Sequence, residues 1–503
     1  MRTNDRTHLA EHILIGVATL AVAAASVAAP AAVAQGAPDA RPNVVVIMAD
    51  DMRADELHAM PNVQSLLVAR GTSFSRHYAN HPLCCPSRVT LMTGQYAHNH
   101  GVFGNSRQDT KQFMDGGPSD ILPEWLHSAG YRTALVGKYL NEYGHDPHDR
   151  SSVPRGFDEW HALIDPPKGH PTVYDYRLND NGTTRSHGSK PTDHLTGVLT
   201  DRAVRFVRRS VRGKPFFLWA SYFAPHSSGP KRDPHNRPAD YCARAPKPAP
   251  GALGPFRDGA LPARANFDVA PLNKPAAVRK MAPAALTPEQ KDEFRRTHNC
   301  RLASLQAVDR GVKQIVEALG PELANTLIVF VSDNGFMLGE HRIVKGKSFL
   351  YEESSNVPLV LSGPGVPVRG AAPDLAVNAD IAPTILAATA NRDGTPIGHA
   401  RAFDGVPLSD LLAGRVQRRG IVLETQQFAG IHAGRWKWAR YPAAGGPKAD
   451  LELYDLDNDP FELNNLYDVS KQPNPPRKGY GPTAKTLRAL AAQLTTCEGE
   501  GCR

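Results

Sequence analysis

Two cysteines, a proline, a serine and an arginine stand together at Cys84-Cys85-Pro86-Ser87-Arg88, inside the stretch HPLCCPSRVTLMTGQYAHNH of residues 81–100. A proline at the first helical position has its φ preset and lacks the amide hydrogen that would be orphaned there. The spacing therefore predicts a helix that opens at Pro86 and ends near Met92-Thr93-Gly94. Cys84 and Cys85 then sit at the helix mouth, where free N–H groups and the macrodipole favour negative charge. Arg88 adds a permanent cation whose forked donors match a tetrahedral oxyanion. A nucleophile at an anion-binding helix end suits the cleavage of sulfate or phosphate esters. The competing reading is a buried thiol pair or a disulfide partner, since cysteine is among the most buried residue types.

Carboxylates appear at two further points. Asn43 to Met48 reads NVVVIM, a continuous apolar run of the kind found in a strand buried on both faces. It delivers Asp50 and Asp51 at its C-terminal end, where open α/β sheets place their ligand sites. A second strand, Thr326 to Val331, delivers Ser332-Asp333-Asn334-Gly335 in the same way. Adjacent carboxylates repel, so a cation between them is the economical explanation, although an Asp-Asp pair also occurs in ordinary turns. Asp50, Asp51, Asp333 and Asn334 make a hard oxygen set suited to calcium, with magnesium second. No His/Cys group has zinc spacing.

The elements that must position these residues alternate along the chain. A helix over 60–70, a short strand, the 84–94 segment, a helix at Leu122–Ala129 and a strand at Tyr131–Val136 follow one another. A helix over about 194–210, the strand Pro215–Tyr222 and the helix Pro288–Leu319 continue the pattern, which closes with strand 357–362 and the helix after Asp380. Such alternation predicts a large α/β domain with a doubly wound, mostly parallel sheet and helices on both faces. Residues 172–188, with Asn181-Gly182, read as a hairpin outside that sheet. Residues 229–288 are rich in proline and basic residues and read as a surface excursion. From about 414 the pattern IVLETQQ, RWKWARY and ELYDLDNDPFELNNL, with a helix over 483–495, predicts a small antiparallel sheet with one helix. The expected division is a catalytic domain over 41–413 and a C-terminal subdomain over 414–503.

Residues 1–34 form a separate unit: Arg2 and Arg6 precede an apolar run, Ile13 to Ala29, that ends at Ala32-Val33-Ala34. That is the order of a secretory signal peptide. Its alanine content and Pro30 argue against a lasting membrane anchor, and the expected protein is secreted or extracytoplasmic. The signal carries two arginines, Asp5 and Glu11, so its removal leaves the formal net charge of +8 unchanged. A basic surface favours encounter with anionic polymers, or is simply solvated. Six cysteines in 503 residues are too few for a disulfide scaffold. Apart from Cys84 and Cys85, the four others (Cys242, Cys300, Cys497 and Cys502) admit three pairings; proximity favours Cys497 with Cys502.

Residues 84–94 resemble the sulfatase motif C-x-P-S-R-x-x-x-[LM]-T-G and match it at every fixed position. The resemblance extends to DIAPTIL and to ELYDLDNDPFELNNL, and within sulfatases it is nearest to the N-acetylglucosamine-6-sulfatases through CCPSR, HNH at 98–100, GKYLNEYG at 137–144 and LGEHR at 338–342. It implies an alkaline phosphatase-like fold and conversion of Cys84 to formylglycine (3-oxoalanine), installed by a formylglycine-generating enzyme. The hydrated aldehyde would attack sulfur and later re-form by expelling sulfate. It also implies one divalent cation held by Asp50, Asp51, Asp333, Asn334 and the residue at 84. Arg88, Lys138 and Lys347 would hold the sulfate oxygens, and His226, with Lys347 as a second candidate, would protonate the leaving alcohol. One position departs from the arylsulfatase pattern, which has histidine two residues after the lysine where this chain has Leu140. His98 and His100 are the candidates by type for the displaced base. The implied substrate is a sulfated carbohydrate, in particular a 6-O-sulfated N-acetylglucosamine of a glycosaminoglycan, with Tyr174, Tyr176, Trp436 and Trp438 as aromatic candidates to face a sugar. A general arylsulfatase, a phosphomonoester or phosphodiester hydrolase on the same scaffold, and an inert glycan binder are the alternatives. Nothing in the chain points to nucleic acid as a partner.

Overall fold

The computed structural model describes residues 41–503, apart from 115–118, 168–170, 229–240, 244, 443–448 and 472–473. The segment 1–34 expected to be a signal peptide and part of the 229–288 excursion therefore lie outside the described residues.

Strand β1 (Asn43–Ala49) is buried along its whole length. Its side chains alternate between two cores: Val44, Val46 and Met48 enter one, Val45, Ile47 and Ala49 the other. Both faces are covered, which is why this strand has no polar phase. In chain order follow β2 (Gly71–Tyr78), β3 (Arg132–Gly137), β4 (Glu159–Ile164), β5 (Arg177–Asp180), β6 (Thr183–Ser186), β7 (Phe216–Ser221), β8 (Thr326–Ser332), β9 (Leu359–Ser362) and β10 (Gly370–Val377). All ten form one sheet in the order β10-β2-β9-β8-β1-β7-β3-β4-β5-β6. The run from β8 through β1, β7 and β3 to β4 is parallel, as is β10 with β2. Strand β9 is antiparallel to both neighbours, and β5 and β6 are antiparallel additions.

The helices are α1 (Pro61–Leu66), α2 (Cys84–Thr93), α3 (Ala97–His100), α4 (Arg107–Met114), α5 (Leu122–Ser128), α6 (Leu195–Ser210), α7 (Ala276–Arg279), α8 (Pro288–Leu319), α9 (Glu352–Ser355), α10 (Ile381–Ala388) and α11 (Leu408–Leu412). Helices α2, α5 and α10 pack on one face through Val89, Trp125 and Ile385. Helices α1, α6 and α8 pack on the other through Val63, Val207 and Val312. The start of α8 follows from TPEQ: Thr287 Oγ1 accepts from Gln290 N, Gln290 Oε1 accepts from Thr287 N, and Pro288 takes the first helical position.

A second, antiparallel sheet runs β11 (Ile421–Glu424), β12 (Ala429–Ala433), β13 (Trp436–Pro442) and β14 (Ala449–Asp455). Helix α12 (Gly481–Leu494) packs on it through Leu487, Ala491 and Leu494, in a core that also holds Tyr78, Phe349 and Tyr351 of the large layer. The seam between the layers is ionic as well as apolar. Lys437 of β13 is fully buried, and its Nζ lies 2.6 Å from Glu352, 2.8 Å from Glu462 and 3.0 Å from the Leu350 carbonyl. Glu462 in turn accepts from Glu352 N at 2.9 Å. Lys274, from the excursion, reaches the Tyr454 hydroxyl at 2.8 Å and lies over the rings of Tyr351 and Tyr454.

Three expectations need correction. The 172–188 hairpin is real, but β5 pairs with β4, so it extends the main sheet instead of standing outside it. Helix α2 starts at Cys84, not at Pro86. Its N-cap, Leu83, is extended and gives no side-chain cap; Asn105 instead accepts from Cys85 N at 2.9 Å. Strands β4 and β10 were not foreseen. Of the three cysteine pairings, the fold takes Cys242–Cys300, which ties the excursion to α8, and Cys497–Cys502.

Candidate active site

The site lies at the C-terminal ends of the parallel strands. Asp50 and Asp51 follow β1, Lys138 follows β3, His226 follows β7 by five residues, and Asp333 and Asn334 follow β8. The first turn of α2 points into the same place. All ten residues of α2 are buried, and Cys84 has no exposed surface. Its Sγ lies 3.0 Å from Lys347 Nζ and 3.6 Å from Asp50 Oδ1.

Charges of both signs interlock around that sulfur. Lys138 Nζ contacts Asp50 Oδ2 at 2.5 Å, and Lys347 Nζ contacts Asp51 Oδ1 at 2.5 Å. His226 Nε2 stands 3.7 Å from Asp51 Oδ2, while His226 Nδ1 donates to the Ser227 carbonyl at 2.8 Å. His226 and Lys347 are 11% and 16% exposed, and Asp50, Asp333 and Arg88 are wholly buried, so the first two mark the mouth of the site.

Arg88 lies wholly buried beside the carboxylates. Its Nε donates to Asp333 Oδ2 at 2.9 Å, and Nη1 donates to Ser221 Oγ at 2.8 Å and the Lys138 carbonyl at 2.9 Å; Nη2 lies 2.8 Å from Asp333 Oδ2 as an ion-pair contact and is buried without a hydrogen-bond partner. A guanidinium so occupied holds the carboxylates in place from behind.

Asp51 sits in the left-handed region, with φ of 69°, a conformation that costs a non-glycine residue about 1–2 kcal/mol. Several contacts fix it. Asp51 N donates to Asp333 Oδ1 at 3.0 Å, Asn334 Nδ2 donates to Asp51 Oδ1 at 2.7 Å, and Arg301 Nη2 donates to the Asp51 carbonyl at 2.5 Å. Arg301 is itself held by Glu56.

The electrostatics follow from burial and partners. Burial pulls the Asp51 carboxyl upward, but Lys347, His226 and Lys138 outweigh it and hold it well below the ordinary carboxylate range. For Asp333, burial and the charge of Asp50 win over Arg88 and push it up to about 6. Burial disfavours both ammonium groups, yet Asp50 keeps Lys138 and Asp51 keeps Lys347 charged far above neutrality. Burial raises the Cys84 thiol to about 11 despite the two lysines. It depresses His226 to about 3 in spite of Asp51.

The donor set fits a hard divalent cation. One ligand atom from each of Asp50, Asp51, Cys84 and His226 lies within 4.8 Å of the others. Asn334 Oδ1 is buried without a hydrogen-bond partner, which is the state of a carbonyl oxygen intended for a cation.

Other expected residues are placed elsewhere. His98 Nδ1 faces Glu424 at 3.0 Å and its Nε2 the Cys497 carbonyl at 3.0 Å. His100 Nδ1 accepts from Val102 N, leaving Nε2 to Thr90 Oγ1 at 3.0 Å. Neither ring joins the cluster, and Leu140 is buried in the core. Tyr174 and Tyr176 are buried against His194 and His187, and Trp438 is buried with its Nε1 on the Tyr467 hydroxyl. Trp436 lies beside Tyr480 and under Arg435. Ser221, Arg301, Glu56 and Asn105 take part in the site without any sequence pattern that marks them.

An alkaline phosphatase-like α/β fold with an acidic cluster and a cysteine at its helix mouth narrows the class. The family model for sulfatases matches residues 42–391, and the chain belongs to that family. It is 32% identical over 541 residues to the arylsulfatase of Chlamydomonas reinhardtii, an alignment covering 95% of this chain and 78% of that protein. It is 33% identical over 361 residues to human N-acetylglucosamine-6-sulfatase, covering 69% of this chain and 60% of that protein. The chain thus spans less than two thirds of that relative, and 46% of a Caenorhabditis elegans homolog of the extracellular sulfatase Sulf-1. The structure of BT4656 with its substrate D-glucosamine-2-N,6-O-disulfate superposes with a TM-score of 0.69 at 23% identity, over 90% of this chain and 97% of that one. A phosphonate monoester hydrolase of Agrobacterium radiobacter superposes at 0.62 and 22% identity, over 90% and 96%. These last two likenesses concern the fold.

Proposed function

We propose that this chain is an exported, calcium-dependent sulfatase that removes the 6-O-sulfate of N-acetylglucosamine in a glycosaminoglycan, using a formylglycine derived from Cys84. The observation that carries the reading is the Cys84 sulfur itself, wholly buried at a helix mouth between Lys347 and the carboxylates of Asp50 and Asp51. A thiol raised to about 11 is protonated at neutral pH and a poor nucleophile, so conversion to an aldehyde gives this position a chemistry that the thiol lacks. Similarity to an N-acetylglucosamine-6-sulfatase supports the substrate, and the residue 1–34 pattern supports export.

Asp50, Asp51, Asp333, Asn334 and the residue at 84 would hold the cation, with magnesium as the second choice. When bound, it supplies Lewis-acid polarisation of the sulfate and lowers the pKa of the hydrated aldehyde. Lys138 and Lys347 present fixed ammonium groups to the sulfate oxygens, and Arg88 keeps the Asp333 carboxylate oriented. His226, with Nδ1 fixed on the Ser227 carbonyl, directs Nε2 at the site and holds the proton for the leaving alcohol. An anionic ester beside Nε2 favours the protonated ring. No membrane-crossing helix is present among the described residues.

Peptide mass spectrometry across residues 84–94, paired with kinetics on N-acetylglucosamine-6-sulfate, an aryl sulfate and an aryl phosphate, tests this reading. The expected result is an aldehyde at position 84 and the highest kcat/KM on the amino sugar. An unmodified thiol in fully active enzyme rejects the nucleophile. Rapid aryl sulfate turnover with none on the 6-sulfated sugar rejects the substrate and leaves a general arylsulfatase.

A further inference from the structure

At the opposite end of the sheet from the catalytic cluster, exposed cations gather with few acid partners among the described residues. Residues 204–214 read VRFVRRSVRGK, and Arg205, Arg208, Arg209, Arg212 and Lys214 are all exposed. The inward face of α6 carries Ala203, Phe206, Val207 and Ser210, so the arginines at 205, 208 and 209 line its outward side, and Arg212 is exposed just beyond its end. Like charges three and four residues apart repel. The helix dipole compensates cations in the last turn, where Arg208 and Arg209 lie. It does not account for Arg205, a turn earlier, or for Arg212 and Lys214, which follow the helix.

Among the described residues only Arg209 of these five has a carboxylate partner, Glu159, at 2.6 Å. Arg209 and Lys214 also line a surface groove of about 580 Å³ with His127, Arg132 and Asp158. The carboxylate in its lining, Asp158, accepts from Thr133 N at 2.8 Å, and the neighbouring Glu159 meets both Arg132 and Arg209. The groove lies at the start of β3 and β7, where Arg132 N donates to the Pro215 carbonyl. Lys138 leaves the other end of β3, so the six-residue strand puts about 20 Å between groove and catalytic cluster.

We infer that the outward face of α6 and this groove form an accessory site for a sulfated polysaccharide, which holds the polymer while one sugar occupies the catalytic pocket. The inference rests on the sulfate-ester reading above for its choice of polyanion. The partners are closely spaced exposed guanidinium groups, which pair with sulfate by paired N–H donors. A separation of about 20 Å means that only a chain, and not a single sugar, can engage both places.

The test is the triple variant Arg205→Glu, Arg208→Glu, Arg212→Glu, in which every substituted side chain is exposed and remote from the cluster. Heparin binding is measured as a function of salt, alongside kinetics on N-acetylglucosamine-6-sulfate and on a long 6-sulfated glycosaminoglycan. Each lost cation should reduce the slope of log affinity against log salt by roughly 0.7–0.9, as for other polyelectrolytes. KM on the polymer should rise about tenfold or more, with the monosaccharide constants unchanged. Unaltered salt slope and polymer KM overturn the proposal. So does a wild-type protein that binds duplex DNA or phosphatidylserine vesicles as tightly as heparin, because the surface would then be a generic basic face. Absence of monosaccharide turnover with heparin binding intact rejects the catalytic reading and leaves this surface standing.

Discussion

Replacing Lys437 by methionine isolates what the C-terminal sheet does for the site. The side chain is wholly buried and its Nζ neutralises Glu352 and Glu462 while donating to the Leu350 carbonyl. Removing one member of a buried ion pair typically costs about 3–5 kcal/mol, because the partners stay behind uncompensated. For roughly 435 described residues at about 2.1 cal/mol/K each, the unfolding entropy is about 0.9 kcal/mol/K, so Tm should fall by about 3–5 °C. Activity should fall too. The turn beginning at Tyr351 returns carbonyls from Glu353 and Ser354 to the amides of Phe336 and Gly335, directly after Asn334. Lys347 is tied at its other side, where Ser348 N donates to the Pro82 carbonyl. A displacement of 1 Å at a catalytic group can cost about 10²-fold, so kcat should drop at least about tenfold while Lys437→Arg recovers much of it.

The pH dependence adds a sign. Burial raises Glu462 to about 7 even with Lys437 present. A carboxyl raised in the folded state binds more protons there than when unfolded, so stability declines as pH rises from the ordinary carboxylate range through about 7. Without Lys437 that window extends upward, and the Tm deficit should be larger at pH 8 than at pH 5.5. Differential scanning fluorimetry with steady-state kinetics at both pH values measures all of this. A methionine variant with unchanged Tm and unchanged kcat would show that the buried lysine neither stabilises the seam nor positions the Lys347 segment.

Cys84→Ser should abolish turnover, whereas Cys85→Ala should keep most of it and lose about 1–2 kcal/mol, since the Cys85 sulfur accepts from Asn141 N at 3.1 Å inside the core; comparable activity in the two variants refutes the choice of nucleophile. Exhaustive EDTA dialysis should abolish activity and lower Tm, with calcium restoring both, and Asp333→Ala should remove the restoration; full activity in metal-free protein rejects the cation. Burial disfavours the charged His98 ring, but Glu424 and the Cys497 carbonyl raise it above its ordinary value, so the contact with the C-terminal tail is complete below about pH 6.5 and is lost as pH rises through the raised value. The protection of residues 495–503 against hydrogen exchange, taken relative to the intrinsic rate at each pH, should therefore fall on going to alkaline pH in the wild type, and a Glu424→Gln variant should show little such change.

The elements that carry the site could be read from the chain because they are local. NVVVIM has no polar phase and is the central strand; TPEQ specifies the start of α8; Gly94, with φ of 69°, closes α2 where the motif places it. What could not be read depends on partners distant in sequence. The start of α2 is set by Asn105, about twenty residues downstream, so local proline logic placed it two residues late. Strand β10 contains Pro373, which propensity excludes from a strand; it survives because β10 is an edge strand whose register shifts between Ala372 and Leu375. The hairpin at Asn181-Gly182 was visible, but its attachment to the sheet required β4, whose EWHALI has neither a clear alternation nor a long apolar run. Arg301 and Ser221 support Asp51 and Arg88 from a helix and a strand whose patterns announce only packing.

The complete burial of α2 also dictates timing. Any enzyme that oxidises Cys84 must bind the motif as an extended peptide, and in the finished fold none of residues 84–93 is presented to solvent. Maturation on our reading is therefore a race between the modifying enzyme and folding, run once per molecule, and chains that fold first are permanently inert. Occupancy of the aldehyde should then rise when folding is slowed and should not rise when the modifying enzyme is added to folded protein. The proposed export would sharpen the race, because a chain threaded through a membrane is held unfolded for the duration of its passage.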